Sequence, residues 1–404
     1  VVVGRSRGSQ RQSIDVLDTV NKASSNDLGD RRSYRHVFRS PKRRPEIAMR
    51  LFVRCVTTLF MTAALSQLAG CGRSPESDTA IDAPGAEQTL TGAGSTFAAP
   101  IIQKWISEYR SENADISASY AVVGSGEGID RFLAGTVDFG ATDAPLTSDD
   151  VAKLDGNVVQ IPVTAGMIAI SHNLPGAPGP LNLPRDVYPD IFGNRIFRWD
   201  DPRIAAANPG IALPSKLIQV VARLDSSGTT FAFTNHLSAI DPDWAGTIGV
   251  GKRIDWPGGA MEARGNEGVA QRIKLTEGSI GYVEAGFAQR LRMPLAYLEN
   301  KAGGFVAPSV ETGQRALAGG SDALPEALDV MVTDPEGARS YPIVTYTWLL
   351  IRKRYEDPAK TEAVEAVARW ILTEGQGFAE GLWYVPLPDN VRQAALKELD
   401  TLGD

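Results

Sequence analysis

The segment Arg223-Leu224-Asp225-Ser226-Ser227-Gly228-Thr229-Thr230 places a guanidinium, a carboxylate and several hydroxyls on either side of a glycine. Arg223 ends a β-like run, and Asp225, two residues on, reaches the same side and can hold the guanidinium through charge-assisted bonds. Ser227 and Thr229 offer hydroxyls, and Gly228 lets an oxyanion come close to backbone N–H groups. This is the chemistry of an anion-binding corner at a helix start; an N-cap beside a surface ion pair explains the same residues equally well. Gly94-Ser95-Thr96-Phe97, just before a helical stretch, supports the same two readings, anion capture by helix-start N–H groups or simple capping by Ser95 or Thr96. Gly124-Ser125-Gly126-Glu127-Gly128 has G-x-G-x-G spacing without the full dinucleotide pattern, and no P-loop occurs in the chain. Asp143 ends the alternating run Val137–Leu146, where an Asx-turn would account for its carboxylate.

These segments share a grammar that says what positions them. Each is a strand, a turn of small residues and then an amphipathic helix, which predicts α/β architecture with ligands beyond the carboxyl ends of the strands. Ile101, Ile102, Trp105, Ile106 and Tyr109 form the apolar stripe of the first helix. Two long β-like runs, VVQIPVTAGMIAISHN and YPIVTYTWLLIRKRY, frame the middle of the chain, and two amphipathic helices follow the second. Residues 89–164 with 343–404 are expected to form one lobe and residues 165–342 another, making a two-lobe clamp.

The first part of the chain differs from the rest. Val1 to Cys71 holds 13 basic and 5 acidic residues, and the remainder holds 28 and 43, a net of −15. MRLFVRCVTTLFMTAALSQLAGC, starting at Met49, has basic residues, an apolar run from Cys55 to Leu65 and small residues before Cys71, the layout of a secretory signal over residues 49–71. Leu68-Ala69-Gly70-Cys71 resembles a bacterial lipobox, in which the cysteine is lipidated. Residues 1–48 are then expected to be an upstream over-extension, and residues 72–88 a flexible tether rich in Ser, Pro, Gly, Asp and Ala. Cys55 and Cys71 are the only cysteines, so an exported domain has no thiol pair for a disulfide or a metal, and no metal or other cofactor is expected.

In this order, LTGAGSTFAAP, VGSGEGI, VDFGATDAPL, RLDSSGTTFAFT and GSIGYVEAGFA resemble the phosphate-binding proteins of Pst-type ABC importers, with similarity from about Leu90 to the last helices. The resemblance implies a class II, venus-flytrap periplasmic-binding-protein fold: two lobes of mixed sheet flanked by helices and joined by a two-strand hinge. It also implies a site in which Thr96 and Phe97 present N–H groups to phosphate and Ser125 a hydroxyl. Arg223, oriented by Asp225, supplies a charged fork; Ser227, Gly228 and Thr229 complete the cage, and Asp143 is its lone carboxylate. The implied partners are inorganic phosphate, an ABC permease and ATPase, and the membrane through a lipid at Cys71, with the protein monomeric at the bacterial cell envelope and no nucleic acid involved. Glu127, Ser226 and Ala98 depart from the family's usual Gly or small residue, Gly and Pro, and Glu127 brings an acid close to Ser125.

An ionised carboxylate accepts hydrogen bonds and cannot donate, so Asp143 would accept from the O–H of hydrogen phosphate and leave sulfate, which has no proton, unmatched. A phosphatase or other ester hydrolase is the rival reading, as is a binding protein for another oxyanion. Beyond Cys71 only His172 and His236 remain as bases, and neither lies in a G-x-S-x-G or H-E-x-x-H setting.

Overall fold

In the computed structural model, which describes residues 88–177, 179–319 and 328–403, the apolar runs of the sequence become strands of one mixed eight-stranded sheet. The leader, signal and lipobox expectations, with Cys55 and Cys71, fall outside the described residues. The strands in chain order are β1 (Gln88–Gly94), β2 (Ile116–Val122), β3 (Phe139–Thr142), β4 (Val159–Asn173), β5 (Asn182–Leu183), β6 (Gln219–Arg223), β7 (Met261–Ala263), β8 (Ser279–Glu284), β9 (Tyr297–Glu299), β10 (Phe305–Val306) and β11 (Val344–Ile351). The large sheet runs β2-β1-β3-β11-β4-β8-β6-β7, and β10-β9-β5 form a small second one.

The sheet is parallel at its two wings and antiparallel in the middle. β1 pairs parallel with β2 and β3, and β6 pairs parallel with β7 and β8. Between the wings, β11 and β4 run antiparallel to their neighbours. The near-continuous apolar sequence of β4 follows from its position, since it is covered on both faces along almost its whole length. From Val159 to Met167 it pairs with β11, and from Ile168 to Asn173 with β8, so a single strand carries the sheet from one wing to the other.

Helices flank the sheet and seal it. The helix Ala99–Glu112 turns Ile101, Ile102, Trp105 and Tyr109 into the core, the stripe its spacing predicts, with Ile106 half-buried at the margin. The helices Pro358–Leu372 and Asp389–Leu399 follow β11; the first buries Val364, Ala368 and Leu372 on the side of β1, and the second buries Val391 and Leu399 against β4 and the first. The other wing is packed around an aromatic cluster in which Phe233 stacks on Tyr282 at 4.4 Å and Phe192 meets Phe233 edge-on at 4.8 Å. Among the described residues no helix is long and apolar enough to cross a membrane.

Candidate anion-binding site

The two wings are staggered along β4 and run in opposite directions, so the carboxyl ends of their strands face each other near the middle of that strand, and the chemistry-bearing turns lie there. From the first wing come Ser95, Thr96 and Phe97 after β1, Ser125 at the start of the helix that follows β2, and Asp143 just after β3. The second wing contributes Arg223 at the end of β6, Ser227, Gly228 and Thr229 at the start of the helix Gly228–Ile240, and Asn266 in the helix Gly265–Leu275 after β7. The structure therefore brings together Thr96, Phe97, Ser125, Asp143, Arg223, Asp225, Ser227, Gly228 and Thr229, and all of them are buried.

Asp143 has a shell of hydroxyls and, among the described residues, no cation in contact. The Ser95 hydroxyl lies 2.7 and 2.8 Å from its two carboxylate oxygens, Thr347 donates to Oδ1 at 2.8 Å, and Ser125 donates to Oδ2 at 3.3 Å. Burial pushes its carboxyl up to about 6, against the opposing pull of these hydroxyls and of the Arg223 charge. The turn after β3 is made by a neighbour instead: Thr142 Oγ1 donates to the Ala144 carbonyl at 2.7 Å and accepts from its N–H at 3.1 Å. The Asx-turn expected of Asp143 is thus replaced by a threonine turn, and the Asp143 carboxylate is left to its hydroxyl partners.

Thr347 reaches this shell from β11. Thr345 and Thr347 share one face of that strand; the Thr345 hydroxyl donates to the Asp143 carbonyl at 3.3 Å while Thr347 takes the carboxylate. The β11–β4 register slips by one residue at Thr347 and Trp348, opposite Pro162, which has no N–H to give the ladder.

Phe97 divides its roles. Its ring is fully buried, lies edge-on to Tyr384 at 6.3 Å and fills the space that a side chain at Gly166 would need. Its carbonyl accepts from the Tyr384 hydroxyl at 2.5 Å. The Thr96 and Phe97 N–H groups, between strand and helix, have no backbone acceptor among the described residues. The N-cap of that helix is Ala98, whose N–H is taken by Ser95 Oγ at 3.1 Å.

Across the cleft, Arg223 Nε donates to Asp225 Oδ1 at 2.9 Å, and Nη2 donates to Oδ2, a bidentate fork. Burial acts to raise the Asp225 carboxyl, but the Arg223 hydrogen bonds and charge outweigh it and hold it below the usual carboxylate range. Arg223 Nη1 donates to Thr229 Oγ1 at 3.3 Å. Ser227 caps its helix, accepting from Thr230 N–H at 3.0 Å, and its own N–H is spent on the Lys252 carbonyl at 2.8 Å. The N–H groups of Gly228 and Thr229 belong to the first turn, which an α-helix leaves without intrahelical acceptors.

The two wings meet at Gly228. A Cβ there would lie 2.5 Å from Ser125 Oγ and 2.8 Å from Asp143 N, so only glycine lets the helix start approach this closely. Gly126 N–H donates to the Ser226 carbonyl at 3.0 Å, a backbone bond across the same seam. Thr96 and Asp225 also line a cleft of about 640 Å³, with Gln103, Glu127, Arg264 and Glu267 among its other walls. At that mouth Glu127 is exposed and ion-paired with Arg131 one turn on.

Three further residues join the site. Ser95 stands where a helix-capping serine is expected and reaches Asp143 as well. Thr347 interrupts an otherwise apolar strand. Asn266 follows Gly265 at the start of an amphipathic helix, the same grammar as the other anion corners, and that is the signal that could have found it. Neither histidine joins them. His172 lies in β4 and His236 bonds the Tyr188 hydroxyl at 2.8 Å; burial pushes the first down to about 4 and the second to about 3. Among the described residues no group of His, Cys, Asp and Glu could hold a metal ion. The arrangement offers many N–H and O–H donors, one guanidinium and one carboxylate acceptor, a set suited to a small oxyanion that carries a proton.

A model of the PBP superfamily domain matches residues 77–374. The chain is 40% identical over 307 residues to the phosphate-binding protein PstS of Pasteurella multocida, a match covering 76% of this chain and 88% of that one. With the PstS protein of Methanocaldococcus jannaschii it shares 33% identity over 380 residues, 88% and 97% of the two chains. In fold it is similar to the crystallised phosphate-binding protein of Stenotrophomonas maltophilia, with a TM-score of 0.60 at 21% identity over 77% of this chain and 93% of the other. A phosphate-bound high-affinity periplasmic phosphate-binding protein gives 0.62 at 22% identity, covering 76% and 92%. The sheet of two parallel wings bridged by antiparallel strands is thus the two-lobe fold of periplasmic binding proteins, and the chain belongs to the PstS family of phosphate-binding proteins.

Proposed function

We propose that this protein is the extracytoplasmic receptor of a phosphate importer: it binds inorganic phosphate between its lobes and delivers it to an ABC permease and its ATPase. The observation that carries the reading is the convergence of Ser125 and Asp143 from one wing with Arg223, Gly228 and Thr229 from the other, in a chain whose relatives are phosphate-binding proteins. The lobes are residues 89–164 with 343–404 and residues 165–342, closing about β4 and β11. In the closed cage the Thr96, Phe97, Gly228 and Thr229 N–H groups and the Ser227 and Thr229 hydroxyls donate to phosphate oxygens, the Ser125 hydroxyl turns its one proton from Asp143 to the ligand, Arg223 neutralises charge, and Asp143 accepts the ligand's O–H. Sulfate has no proton for Asp143, and an unmatched carboxylate in a dry cavity costs on the order of a few kcal/mol. The protein acts as a monomer held to the membrane by a lipid on Cys71, and it performs no chemistry on its ligand.

The net charge of −15 outside the leader is compatible with an anion receptor. Local donors act at contact distance, whereas surface charges are screened beyond roughly 10 Å. Calorimetric titration with phosphate, with sulfate as competitor and p-nitrophenyl phosphate as a turnover probe, tests the reading. Tight phosphate binding, weak sulfate binding and no turnover are expected; equal sulfate binding removes the role of Asp143, and steady turnover makes the protein an enzyme.

A further inference from the structure

Asn266 is fully buried where the two wings meet, and every polar group of its side chain is committed. Its Oδ1 accepts from the Glu284 N–H at 2.9 Å, the last amide of β8, which needs an acceptor. That bond fixes which way the amide faces, so the NH2 group points to the cleft. There its protons divide between the wings: Nδ2 lies 3.0 Å from Thr96 Oγ1 and 3.1 Å from Thr229 Oγ1.

The consequence lies in the two hydroxyls. Thr96 Oγ1 accepts from the Asn266 side chain and also from the Asn266 backbone N–H at 3.1 Å. Thr229 Oγ1 accepts from Asn266 and from Arg223 Nη1 at 3.3 Å. A hydroxyl oxygen has two lone pairs and one proton, so each threonine has its accepting capacity filled and keeps only its O–H to give. Neither hydroxyl donates to an acceptor among the described residues. We propose that Asn266 is a positioning residue that forces Thr96 and Thr229, one from each wing, to present only donors to the bound anion. Among the described residues of the cage Asp143 is then the acceptor left for the ligand, and the difference between phosphate and sulfate falls on that group. Donation into each hydroxyl also strengthens its own donation to an anion.

This inference rests on the phosphate reading and is tested by affinities for inorganic phosphate, measured by calorimetry on wild type, Asn266→Asp, Asn266→Ala, Thr229→Val and the two double variants. At pH 8 an aspartate at 266 accepts from both threonines and turns their protons away from the ligand. A loss of about 100-fold or more is expected for Asn266→Asp and about tenfold for Asn266→Ala, which leaves the hydroxyls free to turn. The Asn266→Asp penalty should fall at least several-fold in the Thr229→Val background, because one of the hydroxyls it misdirects is already gone. It should also shrink, relative to wild type at the same pH, as the pH is lowered toward 5 and the new carboxyl regains a proton to donate. Additive penalties in the cycle would assign the loss to charge repulsion alone and overturn the proposal. Should Asn266→Asp fail to fold, the Asn266→Ala and Thr229→Val cycle decides in the same way: coupling supports the proposal and additivity overturns it. Wild-type protein that binds a different oxyanion and not phosphate would end the phosphate reading, and the same cycle with that anion still decides the role of Asn266.

Discussion

Asp143 and Asp225 are carboxylates at the ends of strands on opposite sides of one cleft, both buried, and they behave in opposite ways. Asp225 is gripped by the Arg223 fork and by the Gly265 N–H at 3.0 Å, which hold its carboxyl low and keep it charged. Asp143 meets only neutral hydroxyls at contact distance, and burial lifts it to about 6. A carboxylate with a cation in contact is a buttress, satisfied before any ligand arrives. One held by movable hydroxyls remains sensitive to whether the next group brings a proton. The contrast comes from the deeper burial of Asp143 together with the partners, neutral hydroxyls in one case and a guanidinium in the other.

The most disruptive way to probe that contrast is to remove the buttress's partner. Arg223→Ala leaves Asp225 buried without its cation, a loss on the order of 3 kcal/mol or more. Phosphate and sulfate should both weaken by about two decades or more in titration calorimetry, and undiminished phosphate binding would place Arg223 outside the cage. Asp143→Asn replaces the proton-sensitive carboxylate with a group that can donate. The sulfate-to-phosphate affinity ratio should then rise by about 10- to 100-fold, and an unchanged ratio would show that Asp143 does not discriminate.

Acidity gives a gentler version of the same change. Falling pH protonates Asp143 near 6 and lets it donate, so in wild type sulfate affinity should rise by up to about tenfold per unit as pH falls toward that value and level off below it, and it should stay flat in Asp143→Asn. The same shift acts on the unliganded fold with a definite sign. The native state holds this proton more tightly than the unfolded chain, whose carboxyl titrates near 3.8, so stability is lost as pH rises from there through 6. Thermal melts of Asp143→Asn should lack that decline. Glu284, lifted by burial to about 8, extends the decline upward, and Glu284→Gln should remove the upper part. The smallest effect is expected at the mouth. Glu127→Gln breaks only an exposed pair with Arg131 and should change phosphate affinity by less than about threefold in calorimetry.

The elements of the site were legible because each is local. A strand, a small-residue turn and a helix lie within one segment, and the residues that close them, Thr96, Ser125, Arg223 and Thr229, are where the turns are. Asp143 was legible as a strand end, although its turn belongs to Thr142. The residues that escaped act across the chain: Thr347 reaches Asp143 from 204 positions away, and Asn266 reaches Thr96 from 170. Periodicity marks which face of β11 is polar, but only the order of strands in the sheet decides whose carboxylate that face meets. Ser95 shows a different limit, since a serine before a helix is adequately explained by capping until the third dimension brings Asp143 to it.

Gly228 sets the gauge of the closed site with backbone rather than with a side chain. A wall made of side chains can be moved by substitution; here the missing carbon is the clearance itself, and even alanine would act as a doorstop between the lobes. Widening this seam lies out of reach of single side-chain substitutions, because no side chain stands there to be trimmed; moving it would require rebuilding the turn.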